Sequence, residues 1–366
     1  MDGCEIDFAD STAGLWDSVV VDSTPDAFLN VKWGSTVKRT GNGSVRFQSF
    51  LSSTYIYLSK TISSVTELYM GFGFYWDSAA ETLAAHAGNC VPMVVLASST
   101  GAYQITLGID VTSNVLKVFT GGTSGGTLQG TGSIAVSANT MHYVELHAVI
   151  HDSAGVIDVR LNGNSEIAVT GIDTNSAGGD IVTVLLGIVR SAAGGAFGGA
   201  GALFYDDIII NDTAGSVSNS WPGGAGIEML TPNADGNYTA WTSTGGAVDY
   251  TEIDDVTTYG NLPDDNTTTI LSAVANQRTS VGLAPTTLAG SVEAIMLCTY
   301  AKNSASGSDQ MAQGVRIGST DYDSTAFVPA TSYGWRNDVL TLNPATAGRW
   351  LTSELDTMEQ GFLRVT

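Results

Sequence analysis

The dipeptide Asn162-Gly163 constrains the fold of this chain more than any other feature of its sequence. It lies between two short segments, 156–161 and 164–169, in which apolar and polar residues largely alternate. A two-residue hairpin turn needs a positive φ at both central positions, and Asn-Gly meets that need well. Alternation is the pattern of a half-buried β-strand. The segment therefore predicts an antiparallel hairpin, and the turn residues at 152–155 predict a third consecutive strand before it.

The same pattern recurs along the whole chain. Apolar segments rich in Val, Ile, Tyr and Thr alternate with clusters of Gly, Asn, Asp and Ser, and the 43 glycines fit the many turns of an all-β fold. The predicted strands of the first part are 44–47, 55–58, 67–76, 92–97, 103–110, 115–119, 141–151, 156–161, 164–169, 183–189 and 203–210. Those of the second part are 227–230, 248–253, 267–274, 279–283, 292–300 and 313–317. Helices are predicted at 353–360 and, from a weaker pattern, at 79–86.

A segment rich in Gly, Ser and Pro, at 216–226, separates the two groups of predicted strands. Such a composition is typical of a linker or a long turn between domains. So many short strands in one unit favour a sandwich or a jelly roll. The sequence therefore predicts a jelly-roll sandwich over 1–215, a linker over 216–226, and a second, smaller β-sandwich with a short C-terminal helix over 227–366.

The charge of the chain excludes several classes of function. Its 366 residues include 14 Lys and Arg against 36 Asp and Glu, which gives a formal net charge of −22. So acidic a chain repels phosphate, and we therefore expect neither nucleic-acid binding nor attachment to an acidic membrane surface. Hydrophobic residues make up 43% of the sequence, which is enough to bury a core and argues against disorder.

The three cysteines and the first residues bear on where the protein is made. Cys4, Cys90 and Cys298 are too few, and odd in number, for a disulfide framework, which favours a reducing cytosol. Residues 1–5 lack the charged and apolar regions of a signal peptide. The most apolar segment, 181–189, is too short to cross a bilayer. We expect synthesis in the cytoplasm, without a signal peptide and without membrane insertion.

The order of several segments resembles the concanavalin A-like, or laminin-G-like, jelly-roll domain of tailed-bacteriophage virion proteins. The matching pieces of the first part are Trp16, Trp33, 41–47, 67–75, 142–146, the Asn162-Gly163 hairpin and the aromatic–Asp-Asp–Ile segment 204–212. In the second part, 230–241, 263–267 and 343–350 are similar to a phage-associated module.

This resemblance implies a non-enzymatic virion structural protein, either a capsid decoration protein or a tail- or baseplate-associated subunit. It implies other virion proteins as partners, assembly as a homo-oligomer, location in the virion, and contact with host surface polysaccharide.

The alternative is a glycan-active hydrolase or lyase, because the concanavalin A-like fold also hosts such enzymes. The segment Glu5-Ile6-Asp7-Phe8-Ala9-Asp10 resembles the Glu-x-Asp-x-x-Glu strand of such hydrolases. It departs from that pattern because its last acid is Asp and because it lies at the start of the chain. A shared fold does not bring a site with it. We therefore assign no catalytic residue from the sequence.

Calcium is the cofactor that the residue types favour most, because Ca²⁺ takes hard oxygen ligands. Asn233, Asp235 and Asn237 place alternating oxygens around a glycine, and Asp206 and Asp207 form a second acidic pair just before Asn211 and Asp212. Turn formation explains the first group equally well, since Asn, Asp and Gly are the residues that turns need.

Four aromatic residues are candidates for binding carbohydrate or a protein partner. Trp221, Trp241, Tyr259 and Trp335 lie beside Gly, Asn or Ser, where an aromatic ring can stack on a sugar or anchor an interface. Of the two roles we favour the interface. His142, His147 and His151 do not share one strand face and are interpreted as ordinary strand residues rather than zinc ligands.

Overall fold

A computed structural model describes residues 15–21, 30–34, 36–41, 43–49, 55–77, 90–123, 125–175, 178–189, 201–246, 248–255, 263–264, 267–304 and 307–366. Contacts divide these residues into two compact units, one over Leu15–Ile227 and one over Glu228–Thr366. The segment 216–226 therefore belongs to the first unit. None of the helices in the described part of the chain has the length and apolar character needed to cross a membrane.

The first unit consists of two seven-stranded antiparallel sheets. Sheet 1 has the order β1 (Ser18–Val21), β4 (Ile56–Val65), β13 (Ile181–Ile188), β6 (Cys90–Ala97), β7 (Tyr103–Asp110), β8 (Val115–Thr120) and β9 (Thr127–Ala135). Sheet 2 has the order β12 (Asn164–Ile172), β11 (Gly155–Leu161), β10 (His142–Val149), β5 (Glu67–Trp76), β14 (Gly201–Asn211), β3 (Ser44–Ser49) and β2 (Asn30–Gly34). The predicted β-sandwich is confirmed.

The core of this unit lies between the two sheets, on the apolar faces of the strands. Leu68, Met70, Phe72 and Phe74 alternate along β5 and are all fully buried. Tyr205 of β14 crosses from sheet 2 to sheet 1, where its hydroxyl donates to the carbonyl of Gly187 at 3.2 Å. Burying these side chains is the main source of the unit's stability.

The second unit is smaller and also antiparallel. Its main sheet has the order β15 (Pro232–Thr239), β18 (Arg278–Leu283), β23 (Glu359–Arg364), β20 (Met311–Ile317) and β21 (Thr320–Asp323). Two short pairs accompany it, namely β16 (Thr242–Ser243) with β17 (Ile270–Leu271), and β19 (Ile295–Ala301) with β22 (Gly334–Leu340). The buried Gln313 side chain of β20 donates to the Leu297 carbonyl and to Asp338, which joins the main sheet to the β19–β22 pair. Trp350 is fully buried beside this contact, among Leu297 and Val315.

Several local predictions for the second unit are wrong. Residues 227–230 lie outside any strand, 248–253 contain a 3₁₀ turn at Asp249–Glu252, and only Ile270–Leu271 of 267–274 is a strand. The predicted C-terminal helix exists but is limited to α1 (Thr352–Leu355). It ends early because the chain must extend again to form β23, which pairs with both β18 and β20. Tertiary pairing overrides helix propensity here.

The sequence patterns also missed eight strands, namely β1, β2, β9, β15, β16, β21, β22 and β23. Strand β9 is mostly exposed and rich in Gly and Thr, so it shows no apolar alternation. The weaker helix prediction, 79–86, lies outside the described residues.

Candidate functional site

The outer face of sheet 2 carries a concentrated group of polar and aromatic side chains. The pairing register places Tyr143 opposite Gly73, Glu145 opposite Gly71, and His147 opposite Tyr69 on neighbouring strands β10 and β5. Successive side chains of a strand point to opposite faces, so these residues face away from the core residues that separate them. This face therefore brings together polar and aromatic side chains that can form a binding site.

Two glycines of β5 make room on this face. A methyl group at Gly71 would collide with the hydroxyl of Tyr143 and lie 2.9 Å from its Cζ atom. At Gly73 it would lie 3.2 Å from the Cδ atom of Arg39. Glycine within a strand often marks such a close approach. The two missing side chains therefore let Tyr143 and Arg39 lie flat on the sheet.

Arg39 is the central cation of the group. Its Nη1 atom makes an ion pair with Asp207 at 2.7 Å, and its guanidinium carbon lies 4.4 Å from the centre of the Tyr143 ring. The Arg39 side chain is 21% exposed, whereas the Asp207 side chain has no exposure. The ion pair thus joins the buried carboxylate of Asp207 to the partly exposed side chain of Arg39, which solvent or a ligand can reach.

The carboxylates of Asp206 and Asp207 are engaged by their own surroundings. Asp206 accepts hydrogen bonds from the backbone amides of Arg39 at 2.6 Å and of Asp207 at 2.8 Å. Asp207, which has a φ of 48°, accepts bonds from the Thr40 hydroxyl and from the amide of Ile227. Burial, reinforced by the charge of Asp207, raises the pKa of Asp206 to about 8. Losing hydration disfavours the charged form of a carboxyl group.

Residues 221–227, which we call the strap, run across this outer face. The amide of Gly223 donates to Glu145 at 2.8 Å. The carbonyls of Gly224 and Ala225 accept hydrogen bonds from Arg39. The ring of Trp221 lies 3.8 Å from the guanidinium carbon of Arg160. The strap is thus held by side chains of β10 and β11 and by Arg39, which lies between β2 and β3, and the strap itself forms no strand.

A cleft of about 500 Å³ opens where the strap meets sheet 2. Lys38, Arg39 and Arg160 supply three cations to its lining, which also includes His142, Tyr143 and Glu145. The cleft is notable because the whole chain has only 14 Lys and Arg and a net charge of −22. Its lining is therefore suited to an anionic ligand, which arginine binds through paired hydrogen bonds.

The hydroxyl of Tyr143 is buried and has no hydrogen-bond partner. Burial raises the pKa of this phenol above its ordinary value of 10.0. The phenol consequently stays protonated at neutral pH. A buried donor without a partner is costly, so its presence beside a cleft is a marker of a functional site.

The three histidines of the sequence analysis, His142, His147 and His151, make different contacts. His147 stacks on Tyr69 with ring centres 4.1 Å apart and bonds to Glu67 and Asp158 at 2.9 and 3.3 Å. His142 contacts Asn162 and the Ser137 carbonyl, and His151 lies beyond the end of β10. In the described ranges, no three His, Cys, Asp or Glu side chains are grouped so that they could hold a metal ion.

The structure separates the four aromatic candidates. Trp221 lies on the outer face of sheet 2, with its ring centre 5.4 Å from that of Tyr69. Trp241 packs near Phe362 of the second unit, and its indole donates to the Gln277 carbonyl at 3.1 Å. Trp335 pairs with Tyr300 across β19 and β22, with ring centres 5.0 Å apart. Tyr259 lies outside the described residues, as do Glu5, Asp7 and Asp10.

The proposed calcium ligands also have defined positions. Asn233, Asp235 and Asn237 lie on strand β15 rather than in a turn. Asp235 accepts a hydrogen bond from the amide of Tyr250 at 3.0 Å. Calcium binding at either group stays a prediction.

Sequence reasoning gave no site role to Arg39, Tyr143 or Arg160. Arg39 lies 167 and 168 residues from the acids it contacts, so no local spacing connects them. The usable signal is the Gly71-Phe72-Gly73 segment within an otherwise bulky strand. Paired glycines on one strand face indicate that something lies close to the sheet.

Comparison with known proteins bears on the fold. No protein-family model matches the chain. No curated protein matches it either. Among solved structures it resembles an endo-β-1,4-glucuronan lyase from the fungus Trichoderma reesei, with a TM-score of 0.43 and 13% identity over 55% of this chain and 92% of that one.

Two further resemblances are of the same kind. An alginate lyase gives a TM-score of 0.36 with 11% identity over 53% of this chain and 96% of that one. A carbohydrate-binding module from Bacillus subtilis gives 0.33 with 10% identity over 53% of this chain and 95% of that one. Likeness at these identities concerns the β-sandwich fold, and a fold hosts many functions.

The comparisons correct two expectations from the sequence. The chain was expected to be a non-enzymatic bacteriophage virion protein, and that expectation is wrong, because the structures it resembles are polysaccharide lyases and a carbohydrate-binding module. The expectation that it is not an enzyme is contradicted by the same comparison, since two of these structures are lyases. The virion location, the virion partners and the homo-oligomer stay untested predictions.

Proposed function

We propose that the first unit is a polysaccharide lyase that acts on an acidic, uronate-containing glycan in the cleft of sheet 2. The composition of the lining carries this proposal. In the described part of the lining, Lys38, Arg39 and Arg160 are accompanied by one carboxylate, Glu145. A cleft with convergent charged groups and a perturbed titratable residue is the default candidate for an active site.

The lining favours elimination over hydrolysis. Glycoside hydrolysis normally needs two carboxyl groups on opposite sides of the scissile bond. Among the described residues the cleft lining contains one carboxyl group, and that carboxylate accepts the Gly223 amide. Elimination from a uronate instead needs a cation that neutralises the sugar carboxylate, a base and a proton donor.

The step balances without any added reactant. A base removes the proton from C5, next to the carboxyl group. The electron pair of that C–H bond forms the C4–C5 double bond as the C4–O bond breaks, and the leaving oxygen takes a proton. Arginine stabilises the negative charge that develops on the carboxyl group.

The structure supports a role for two of the lining residues. Arg39 lines the cleft, and its guanidinium is the group that can pair with the uronate carboxylate. Tyr143 stays protonated because burial raises its pKa, so it holds a proton that it can pass to the leaving oxygen.

The test is incubation of the full chain with polyglucuronate, with alginate and with neutral cellulose. We expect the near-ultraviolet absorbance of an unsaturated uronate product from one acidic polymer and none from cellulose. Tyr143→Phe should lower kcat by about 10²–10⁴-fold. The matched control is Tyr75→Phe, on the same sheet but outside the cleft lining. Reducing ends without unsaturated product would indicate hydrolysis and overturn the proposal, as would the absence of any cleavage.

A further inference from the structure

We propose that the strap, residues 221–227, is an autoinhibitory segment that occupies both arginines of the cleft and must lift from the sheet before a uronate binds. This inference rests on the proposed function.

The strap takes the hydrogen bonds that a uronate carboxylate would need. Arg39 donates through Nη1 to the Ala225 carbonyl at 2.7 Å and through Nη2 to the Gly224 carbonyl. A carboxylate presents two oxygens to a guanidinium in the same paired way. The two strap carbonyls therefore stand in for the carboxylate oxygens of a substrate.

The strap also covers the second arginine of the cleft. The Trp221 ring lies 3.8 Å from the guanidinium carbon of Arg160 and contacts His147 and Tyr69 edge-on, with ring centres 5.7 and 5.4 Å away. A cation held against an aromatic face is partly removed from water and from other partners. With the strap in place, neither arginine is free to bind a sugar.

The strap covers the group that we assign as proton donor as well. The Cγ atom of Pro222 and the Tyr143 hydroxyl both lie against Gly71, within 3.1 Å of the position that a methyl group there would take. Since this hydroxyl has no hydrogen-bond partner, it can donate a hydrogen bond to a sugar oxygen once Pro222 moves away.

The strap is attached to the sheet by few buried contacts. Its residues are only half-buried, apart from the exposed Gly223, and they form no strand pairs. Gly223 and Gly224 have φ of 70° and 72°, which glycine adopts freely. One end is fixed by the Ile227 amide, which donates to Asp207 at 2.7 Å. Segments with few buried contacts open at low free-energy cost, so the strap can hinge while the sheet stays folded.

The experiment is titration calorimetry of the full chain with a tetrasaccharide of glucuronate and one of alginate. Trp221→Ala removes the contact on Arg160, and Gly223→Pro removes the amide donor to Glu145 and cannot adopt a φ of 70°. The control is Ser216→Ala, an exposed position in the same segment that lies outside the strap. If about a tenth of the molecules are open, full opening strengthens the apparent affinity about tenfold.

We expect both strap variants to bind one tetrasaccharide about tenfold more tightly than the wild type, and Ser216→Ala to match the wild type. Hydrogen exchange in 221–227 should rise in the variants and, on adding sugar, in the wild type. Exchange in β5 and β10 should stay slow, which shows that the sheet remains folded. If Trp221→Ala does not fold, Gly223→Pro, which keeps the indole, decides the question.

The two proposals fail in different ways. Equal affinity of the wild type and the strap variants, with unsaturated product formed, overturns the autoinhibitory strap and leaves the lyase standing. Weaker binding by Trp221→Ala also overturns it, since the indole would then hold the sugar. If no protein binds either tetrasaccharide, both proposals are overturned.

Discussion

Replacing Arg39 by methionine should strongly destabilise the first unit. Methionine keeps an unbranched apolar side chain of similar length but removes the charge that pairs with Asp207 at 2.7 Å. The Asp207 side chain has no exposure to water, so its charge would remain buried without a partner. Breaking a buried pair in this way costs about 3–5 kcal/mol. Arg39→Met should lower the free energy of unfolding by that amount, or the melting temperature by about 6–20 °C.

A double-mutant cycle isolates the ion pair from the other contacts of Arg39. Asp207→Asn removes the negative charge, and asparagine tolerates the φ of 48° at this position. The asparagine oxygen can still accept the Ile227 amide. Because the charge left unpaired by Arg39→Met is absent from the double variant, the double variant should lose less stability than the sum of the single losses. We expect a coupling free energy of about 1–3 kcal/mol.

The assay is differential scanning calorimetry of the full chain. Hydrogen exchange in peptides from β5 identifies which transition belongs to the first unit. Losses that add within about 0.5 kcal/mol would refute the reasoning, because additivity means that the two side chains do not interact. A loss below about 1 kcal/mol for Arg39→Met would also refute it, because the buried carboxylate of Asp207 would then not depend on Arg39.

Three further predictions concern single positions. Gly71→Ala should lower the free energy of unfolding by about 1–3 kcal/mol in urea titrations, since its methyl group would collide with Tyr143; an unchanged value contradicts the packing described. The pKa of Asp206 is raised from 3.8 to about 8, so the folded state binds its proton more tightly and stability is lost as pH rises between these values. Asp206→Asn should flatten that decline in urea titrations across the range, and a parallel profile contradicts it. Trp350→Ala should cost the second unit about 3–5 kcal/mol by calorimetry, because the indole is fully buried and bonded to the Leu340 carbonyl; a loss below about 1 kcal/mol contradicts it.

The fold was predictable where local chemistry decides it. Asn162 and Gly163 have φ of 51° and 81°, as their hairpin turn requires, and the strand predicted at 67–76 is β5 with the same bounds. Residues 248–253 were predicted to be a strand, but they contain a 3₁₀ turn, Asp249–Glu252, in which Asp249 and Glu252 are buried. The Thr279 hydroxyl donates a hydrogen bond to Asp249 there. Local alternation cannot distinguish these cases.

The candidate site was much less predictable than the fold. Trp221 was singled out as an aromatic contact and lies beside the cleft, but its partner Arg160 is 61 positions earlier in the sequence. Arg39 donates hydrogen bonds to Asp207 and to the Ala225 carbonyl of the strap, and both lie more than 160 positions later in the sequence. Contacts between residues so far apart depend on the order and register of the strands, which cannot be derived from a single sequence.

The hydroxyl of Tyr205 has a mechanical consequence. It links β14 to the Gly187 carbonyl of the opposite sheet through a fully buried hydrogen bond. Sliding one sheet over the other would break this bond in a place that water cannot reach, which makes shear between the layers costly. The two layers beneath the strap therefore resist sliding past each other. Engineers who alter the strap to change ligand preference should find that the layers below keep their spacing.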